Sequence, residues 1–339
     1  MMPTCGPKNP PMPTSAPVDG DDQPAMVATS CLINNYNYAS YLAEAIDSAL
    51  GQSVPFDEII VVDDGSTDGS ADLVADRYGS EPRVRLIRKT NGGQLSCFNA
   101  GFEASRGDLL FFLDADDRYE SRHLEQSLDR YARHPASDVV FCGYQTFGTH
   151  SQRRIRYRQD RELGCGVAYT LEYGRAIGNP TSCLSFRRRR LERMLPLPLE
   201  EDWYIRADDC LLLGAALAGG CKLFMAETLV NYRLHEANNL YGSRPDALAR
   251  YRHEVACRRV IGHYAAQFNL CRSRVLPLAH HEFTTCRHPD VRLLRHYIKL
   301  AWRAPLPVLR RGRMIGQMLR HWMACRPRGQ ASTRVGTRP

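Results

Sequence analysis

Three apolar runs that end in polar side chains constrain the fold of this chain more than any other feature. The runs are MVATSCLI (residues 26–33), EIIVVDD (58–64) and DLLFFLDADD (108–117), and the polar positions at their ends are Asn35, Asp63, Asp64, Asp114 and Asp116. Continuous apolar runs of this length are typical of parallel strands that helices cover on both faces. In open sheets of this kind, ligands bind beyond the carboxyl ends of the strands.

Helical patterns separate these strands. Apolar residues recur at helical spacing in four segments: Leu42 to Leu50, Asp68 to Tyr78, Leu95 to Phe102, and Arg122 to Arg133. Two shorter runs, Val84 to Ile87 and DVVFC (138–142), add strands. The alternation predicts an α/β fold, with a Rossmann-like, mostly parallel sheet and crossover helices.

Composition divides the chain into three parts. Residues 1–24 are rich in Pro, Gly, Ser and Asp and lack the apolar core of a secretory signal, so we expect a disordered leader and a cytoplasmic protein. Residues 25–240 form the predicted catalytic domain, with a nucleotide-binding half (25–143) and an acceptor half (144–240). Residues 241–339 form a predicted basic, helical extension.

Charge is distributed unevenly along the 339 residues. The net charge is +8, but residues 241–339 contain 20 Lys and Arg against 4 Asp and Glu. A basic extension on an otherwise acidic body indicates contact with an anionic surface, either lipid headgroups or nucleic acid.

Cysteine spacing and the length of the apolar runs indicate in which cellular environment the chain resides. The 12 cysteines are scattered without a CxxC pair, which favours reduced thiols. No apolar stretch reaches the roughly 18 residues that a membrane span requires, so we expect no transmembrane helix.

The tripeptide Asp114-Ala115-Asp116 places two carboxylates in a tight turn after a strand. Hard divalent cations take oxygen ligands, so the turn is a candidate site for Mg²⁺ or Mn²⁺. Taken alone, such acids can equally well solvate a loop.

Two further turns offer ligand-binding groups. In VVDDGSTDGS, Asp63 or Asp64 could accept hydrogen bonds from a base or a ribose, although the same residues are good turn and cap formers. In KTNGGQ, two glycines precede a helix and could approach phosphate or ribose oxygens. The chain contains no GxxxxGK[ST] motif, which argues against P-loop phosphate chemistry.

Taken in order, CLINNYNYASYLAEAIDSALGQ, EIIVVDDGSTDGS and NGGQLSCFNAGFEASRGDLLFFLDADD resemble family 2 glycosyltransferases of the A-type fold. The resemblance covers residues 27–143 closely and 179–239 more loosely. It implies inverting transfer of a sugar from a nucleotide diphosphate donor, usually a UDP-sugar, to an acceptor. The resemblance leaves the acceptor open among a saccharide, a lipid-linked molecule and a protein, and suggests surface polysaccharide or glycolipid assembly as the process.

The resemblance also implies roles for individual residues. The expected donor-binding residues are Asn35, Tyr36, Asn37, Asp63, Asp64, Gly93, Gln94, Asn99, Asp114 and Arg233. The expected metal ligands are Asp114, Asp116 and His235, of which Asp116 is the direct one. In RADDCLLLGAALAG, Asp208 replaces the family's usual glutamate, and Asp209 becomes the candidate general base. An inverting transfer requires such a base to deprotonate the acceptor hydroxyl.

Alternatives stay open at this point. One is a sugar nucleotidyltransferase, which would lack its usual Gly-rich opening; another is a catalytically silent nucleotide-sugar-binding or membrane-adaptor protein.

The basic extension has three interpretations. Its helices could pack on the catalytic domain, or they could attach peripherally to the inner face of an anionic membrane. The third, nucleic-acid binding, is not expected because no nucleic-acid module is recognisable.

Overall fold

A computed structural model describes residues 27–235 and 246–325. The predicted leader (1–24) and the predicted domain boundary near residue 240 lie outside the described residues. So do the last residues of the basic extension, 326–339.

In the first half of the chain, strands and helices alternate as the apolar pattern predicts. The elements are β1 (Thr29–Asn35), α1 (Ala39–Leu50), β2 (Glu58–Asp63), α2 (Ser70–Tyr78), β3 (Val84–Arg88), α3 (Gln94–Ala104), β4 (Leu109–Asp114), β5 (Arg118–Tyr119), α4 (His123–Arg133) and β6 (Val139–Gly148).

Shorter elements follow, and then long helices. They are β7 (Gln152–Arg154), β8 (Arg161–Gly164), α5 (Val167–Tyr173), β9 (Leu184–Arg187), α6 (Arg188–Leu191), α7 (Asp208–Leu217), β10 (Lys222–Leu234), α8 (Ala247–Gln267), α9 (Arg272–Val275), α10 (Ala279–Thr284), α11 (Val291–Arg303) and α12 (Val308–Ala324). The described part of the basic extension is therefore mainly helical.

One sheet joins the strands in the order β3-β2-β1-β4-β9-β6-β10-β5. Strands β3, β2, β1 and β4 are parallel, whereas β9 runs antiparallel to both β4 and β6. The α/β class is confirmed, and the second half of the sheet is mixed, because β10 runs parallel to β6 but antiparallel to β5 and β8. Strand β9 follows a 3₁₀ turn, Thr181–Cys183.

Side chains of the central strands fill two cores, one on each face of the sheet. On β1, Cys31 and Ile33 pack with α1, while Leu32 packs on the opposite face with α3. On β2, Ile59 and Ile60 divide between the same two cores. Because successive side chains of a strand point to opposite faces, burial on both sides explains why these strands read as continuous apolar runs.

The carboxyl-terminal helices pack on the preceding part of the chain. On α8, Val260 and Tyr264 belong to the same core as α7, and the Tyr264 hydroxyl donates to the Met194 carbonyl at 2.9 Å. Helices α10, α11 and α12 surround a separate apolar cluster that reaches Ala168 of α5. None of the helices described is long and apolar enough to cross a membrane.

Candidate active site

A cavity of about 770 Å³ opens at the carboxyl ends of β1, β2 and β4. Its lining comes from the strand ends, from the start of α3, and from the segment before α7. The lining residues are Asn34, Asn35, Tyr36, Tyr38, Asp64, Asn91, Gly93, Gln94, Cys97, Asp114, Ala115, Asp116, Pro180, Thr181, Tyr204, Ile205, Arg206, Asp208 and Tyr232.

Strand register brings the first polar groups together. Asn35 is paired with Asp63 across β1 and β2, and its Nδ2 donates to Asp63 Oδ1 at 2.7 Å. The other Asp63 oxygen accepts from the Ser66 amide at 3.2 Å. Asp63 therefore holds the turn after β2 and lies behind the cavity lining.

Asp64 lines the cavity and accepts hydrogen bonds from the loop before α3. Its carboxylate accepts from Lys89 Nζ at 2.7 Å and from the amides of Gly92 and Gly93 at 3.0 and 2.8 Å. The side chain of Asp64 is only 3% exposed. This carboxylate thus shapes the wall against which a ligand would bind.

Gly93 and Gln94 connect this wall to the second half of the chain. Gly93 has a φ of +84°, and a Cβ atom there would lie 2.4 Å from the Cα of Tyr204. The Gln94 side chain donates to Asp114 Oδ1 at 2.9 Å and accepts from the Ala207 amide at 2.8 Å. One amide therefore links the acidic turn after β4 to the beginning of α7.

Three carboxylates crowd the turn after β4. Burial, together with repulsion from Asp116, raises the pKa of Asp114 to about 7. Burial and the charges of Asp116 and Asp114 likewise raise the pKa of Asp117. Asp117 accepts from the Ser182 hydroxyl at 2.6 Å and from the Arg233 amide at 2.8 Å. The fold therefore concentrates negative charge that a cation would relieve.

His235 completes this group from the end of β10. Its Nε2 lies 3.0 Å from Asp116 Oδ2, and its ring packs on Tyr38 and Tyr41 with centroids 5.8 and 4.8 Å away. Arg233, two residues earlier, donates through Nε to the Asp116 carbonyl at 2.8 Å. Arg233 therefore stabilises the acidic turn, although it does not itself line the cavity.

The donors fit a hard divalent cation. The carboxylates of Asp114 and Asp116 and the imidazole of His235 supply oxygen and nitrogen ligands. Asn34 Oδ1 is buried and lacks a hydrogen-bond donor among the described residues, although Asn34 lies in register with Asp114. An orphaned oxygen next to crowded carboxylates is the environment that Mg²⁺ or Mn²⁺ would satisfy.

The two acids at the beginning of α7 face different surroundings. Asp208 lines the cavity, and burial, Asp209 and Asp114 raise its pKa to about 7. Asp209 lies outside the cavity lining, where its Oδ2 is 3.1 Å from Arg206 Nη2 and 3.2 Å from His253 Nε2. The structure therefore presents Asp208, and not Asp209, to a ligand in the cavity.

Two other expected donor-binding residues, Asn99 and Asn37, do not line the cavity. Asn99 donates to Glu200 Oε1 at 2.6 Å and accepts from the Leu197 amide at 2.9 Å, so its side chain fastens the segment after α6. Asn37 accepts from the Thr67 amide at 2.8 Å and joins the turns after β1 and β2. Both residues shape the scaffold around the cavity.

Several lining residues were not expected from the sequence. Asn34 adjoins the predicted Asn35, and the doubled asparagine at a strand end was the available signal. Thr181 and Tyr232 reach the cavity from the second half of the sheet. Tyr204 and Ile205 lie at its rim and are 56% and 47% exposed. No motif marks these last two residues, because their position depends on contacts between distant segments.

Comparisons with known proteins point to one family. Residues 30–195 match the model of a family described as glycosyl transferase family 2. An uncharacterized glycosyltransferase, alr2836 of Nostoc sp., is 35% identical over 219 residues, which are 62% of this chain and 66% of that protein. Chondroitin synthase of Pasteurella multocida is 36% identical over 117 residues, which are 34% of this chain and 12% of that protein. The chain thus spans less than two thirds of the length of either relative.

A solved structure shares the fold. The crystal structure of S. aureus TarS 1-349 in complex with UDP-GlcNAc superposes with a TM-score of 0.52 at 15% identity, covering 88% of this chain and 90% of that chain. The coverage includes the helical carboxyl-terminal region as well as the sheet. The family model and the relatives place residues 30–195 in glycosyl transferase family 2, and the solved structure shares the fold of the chain.

Proposed function

We propose that this chain is a metal-dependent, inverting glycosyltransferase that transfers a sugar from a UDP-sugar to an acceptor hydroxyl. The observation that carries the proposal is the convergence, in one cavity, of the acidic turn with Asp114 and Asp116 and of the carboxylate of Asp208. The first group, once it holds a divalent cation, suits a donor diphosphate, and the second suits an acceptor hydroxyl.

The donor would bind at the ends of β1 and β2. The exposed ring of Tyr36 and the fixed carboxylate of Asp64 provide a surface for a base and a ribose. Gly93, which also lines the cavity, lets the backbone of Tyr204 pack against this surface, because a side chain there is excluded. The TarS complex contains UDP-GlcNAc, which supports a UDP-sugar as the donor class.

Asp114, Asp116 and His235 would hold Mg²⁺ or Mn²⁺ beside the diphosphate. A bound ion would neutralise the negative charge on the departing diphosphate. Gln94 and Arg233 orient the acidic turn through the hydrogen bonds to Asp114 and to the Asp116 carbonyl. These contacts keep the carboxylates in place before a ligand arrives.

Asp208 would act as the general base. The acceptor oxygen attacks the anomeric carbon as the bond from that carbon to the phosphate oxygen breaks, and Asp208 takes the hydroxyl proton. A carboxyl whose pKa lies at about 7 can hold this proton near neutral pH. Tyr204 and Ile205, exposed at the rim, are placed to contact the acceptor.

We also propose that the turn between α11 and α12 attaches to an anionic membrane surface. Trp302, Val308 and Leu309 are 51%, 65% and 82% exposed there. Arg310 and Arg313, also exposed, have no ion-pair partner within the described part of the chain. Exposed apolar side chains beside unpaired arginines suit the headgroup region of a bilayer. A lipid-linked or polysaccharide acceptor would be reached from that surface.

A product analysis distinguishes this function from its alternatives. The full chain is incubated with a panel of nucleotide sugars, with and without Mn²⁺, and in a second reaction with a nucleoside triphosphate and a sugar phosphate, and the released products are identified. Metal-dependent release of a nucleoside diphosphate supports the glycosyltransferase. Release of pyrophosphate from a nucleoside triphosphate and a sugar phosphate would indicate a nucleotidyltransferase, and binding without turnover would indicate a silent binding protein.

A further inference from the structure

Three side chains with different ligand atoms meet outside the cavity, between α7 and α8. They are Asp209 from the first turn of α7 and His253 and Cys257 from α8. His253 Nε2 lies 3.2 Å from Asp209 Oδ2 and 3.5 Å from Cys257 Sγ, and all three ligand atoms lie within 4.8 Å of one another.

We propose that Asp209, His253 and Cys257 bind a zinc ion. The inference goes beyond the proposed function and does not rest on it. A thiolate, an imidazole and a carboxylate are the three ligand types that zinc takes in proteins. The oxygen-rich turn at Asp114 and Asp116 suits a harder ion, so the two sites would select different metals.

The spacing of the atoms agrees with tetrahedral zinc. Bonds of about 2.0 Å to nitrogen or oxygen and about 2.3 Å to sulfur place neighbouring ligands of a tetrahedron about 3.3–3.6 Å apart. The observed 3.2 and 3.5 Å lie close to that range. Small rotations of the side chains would therefore complete three corners, leaving the fourth to water.

Helix geometry makes the arrangement rigid. His253 and Cys257 are four residues apart on α8, so their side chains lie on one face of the helix, one turn apart. The indole of Trp203, which is 1% exposed, packs edge-on against the His253 ring with centroids 5.6 Å apart. Cys257 is itself buried. The apolar wall limits the rotamers available to both ligands.

The ion would replace a weaker contact. Asp209 Oδ2 now accepts from Arg206 Nη2 at 3.1 Å, and the Arg206 side chain is 37% exposed. Because the Arg206 side chain is partly exposed, its guanidinium can turn to solvent when the carboxylate binds a cation. The bound ion would then connect α7 to α8 next to Asp208. We infer a structural role, in which zinc fixes the beginning of α7.

Zinc titration of the full chain against a chromogenic chelator tests the site. Cys257→Ser and His253→Gln should each weaken zinc binding about 100-fold or more, because even the partners of metal ligands contribute 10–100-fold. Two variants are matched controls that should keep the wild-type affinity. Cys271→Ser changes an exposed thiol, and Cys165→Ser changes a thiol whose sulfur lies 3.1 Å from that of Cys221.

Cobalt substitution of the wild-type chain provides a readout that needs no variant to fold. The proposal predicts one equivalent of Co²⁺ with tetrahedral visible bands and one thiolate-to-metal absorption band, which Cys257→Ser loses. Three results would overturn the proposal: a wild-type cobalt spectrum without a thiolate band, zinc affinity unchanged in both Cys257→Ser and His253→Gln, or a loss of zinc in Cys165→Ser or Asp116→Ala instead.

Discussion

His235 Nε2 lies 3.0 Å from Asp116 Oδ2, although 119 residues separate the two positions in the chain. The contact joins the end of β10 to the turn after β4, and so connects the second half of the sheet to the first. A shared metal ion would strengthen this connection, because both side chains would become ligands of the same ion.

The two acids of α7 give the first prediction. Asp208→Asn should reduce the turnover number by roughly 10² or more, because the amide keeps the shape of the carboxylate and loses its basicity. Donor binding should stay near the wild-type value, since Asp208 is proposed to serve the acceptor. Steady-state kinetics combined with donor titration measures both quantities. A larger loss in Asp209→Asn than in Asp208→Asn would assign the base to Asp209.

Gly93 provides a prediction on stability. Gly93 and Gly69 have φ values of +84° and +85°, so alanine is strained by about 1–3 kcal/mol at both positions. At Gly93 a Cβ atom would also lie 2.4 Å from Tyr204 Cα, whereas nothing lies within 4 Å at Gly69. Gly93→Ala should therefore lower the unfolding free energy by about 1–3 kcal/mol more than Gly69→Ala does. Equal losses in urea unfolding would contradict the close approach of Tyr204.

Lys222 gives a prediction on pH dependence. The side chain is 4% exposed, and burial lowers its pKa from 10.5 to about 8, against opposing effects of Cys165, Glu282 and Cys221. Between pH 8 and 10.5 the unfolded chain binds this proton more tightly than the folded chain. The unfolding free energy should consequently rise with pH in this window, by at most about 3 kcal/mol from this group.

Lys222→Met should remove that rise, and Lys299→Met, at an exposed position of α11, should retain it. Urea unfolding at pH 7.5, 8.5 and 9.5 compares the three chains. A wild-type slope that survives in Lys222→Met would assign the pH dependence to other groups.

Membrane attachment is tested on vesicles. The full chain should sediment with anionic vesicles at low salt and be released at high salt, because each arginine near such a surface contributes about 1 kcal/mol that salt screens. Leu309→Glu should weaken binding about tenfold or more, as it removes an apolar contact and adds a repelled charge. Leu248→Glu, at a 53% exposed position on α8, is the matched control. Vesicle binding that is absent at low salt, or equal in both variants, would show that the turn meets no membrane.

The first half of the fold could be predicted because its pattern is local. Runs such as EIIVVDD contain their own strand signal, and the acids that end them mark the edge of the sheet where the cavity lies. The predicted α1 face is confirmed, with Leu42, Ala45 and Ile46 fully buried. The position of strand β9 could not be predicted in this way, because its antiparallel insertion between β4 and β6 depends on pairings between distant segments.

Parts of the site could not be predicted for a similar reason. The sequence places Asp208 and Asp209 side by side, and only the packing of α7 against α8 determines that one lines the cavity and the other contacts His253. Asn99 was assigned to the donor from its position in a motif, whereas its amide is used by Leu197 and Glu200. Which hydrogen bonds a polar side chain makes is a property of the tertiary structure.

The most direct test of the central claim is calorimetric titration of UDP-sugars, beginning with UDP-GlcNAc, with and without Mn²⁺. The wild-type chain should bind the donor much more tightly with Mn²⁺, and Asp116→Ala should lose about 100-fold or more of that gain because it removes a metal ligand. Asp76→Ala, an exposed acid on α2, should behave as wild type. Donor affinity that is independent of Mn²⁺ in the wild-type chain, or identical in Asp116→Ala, would contradict the account.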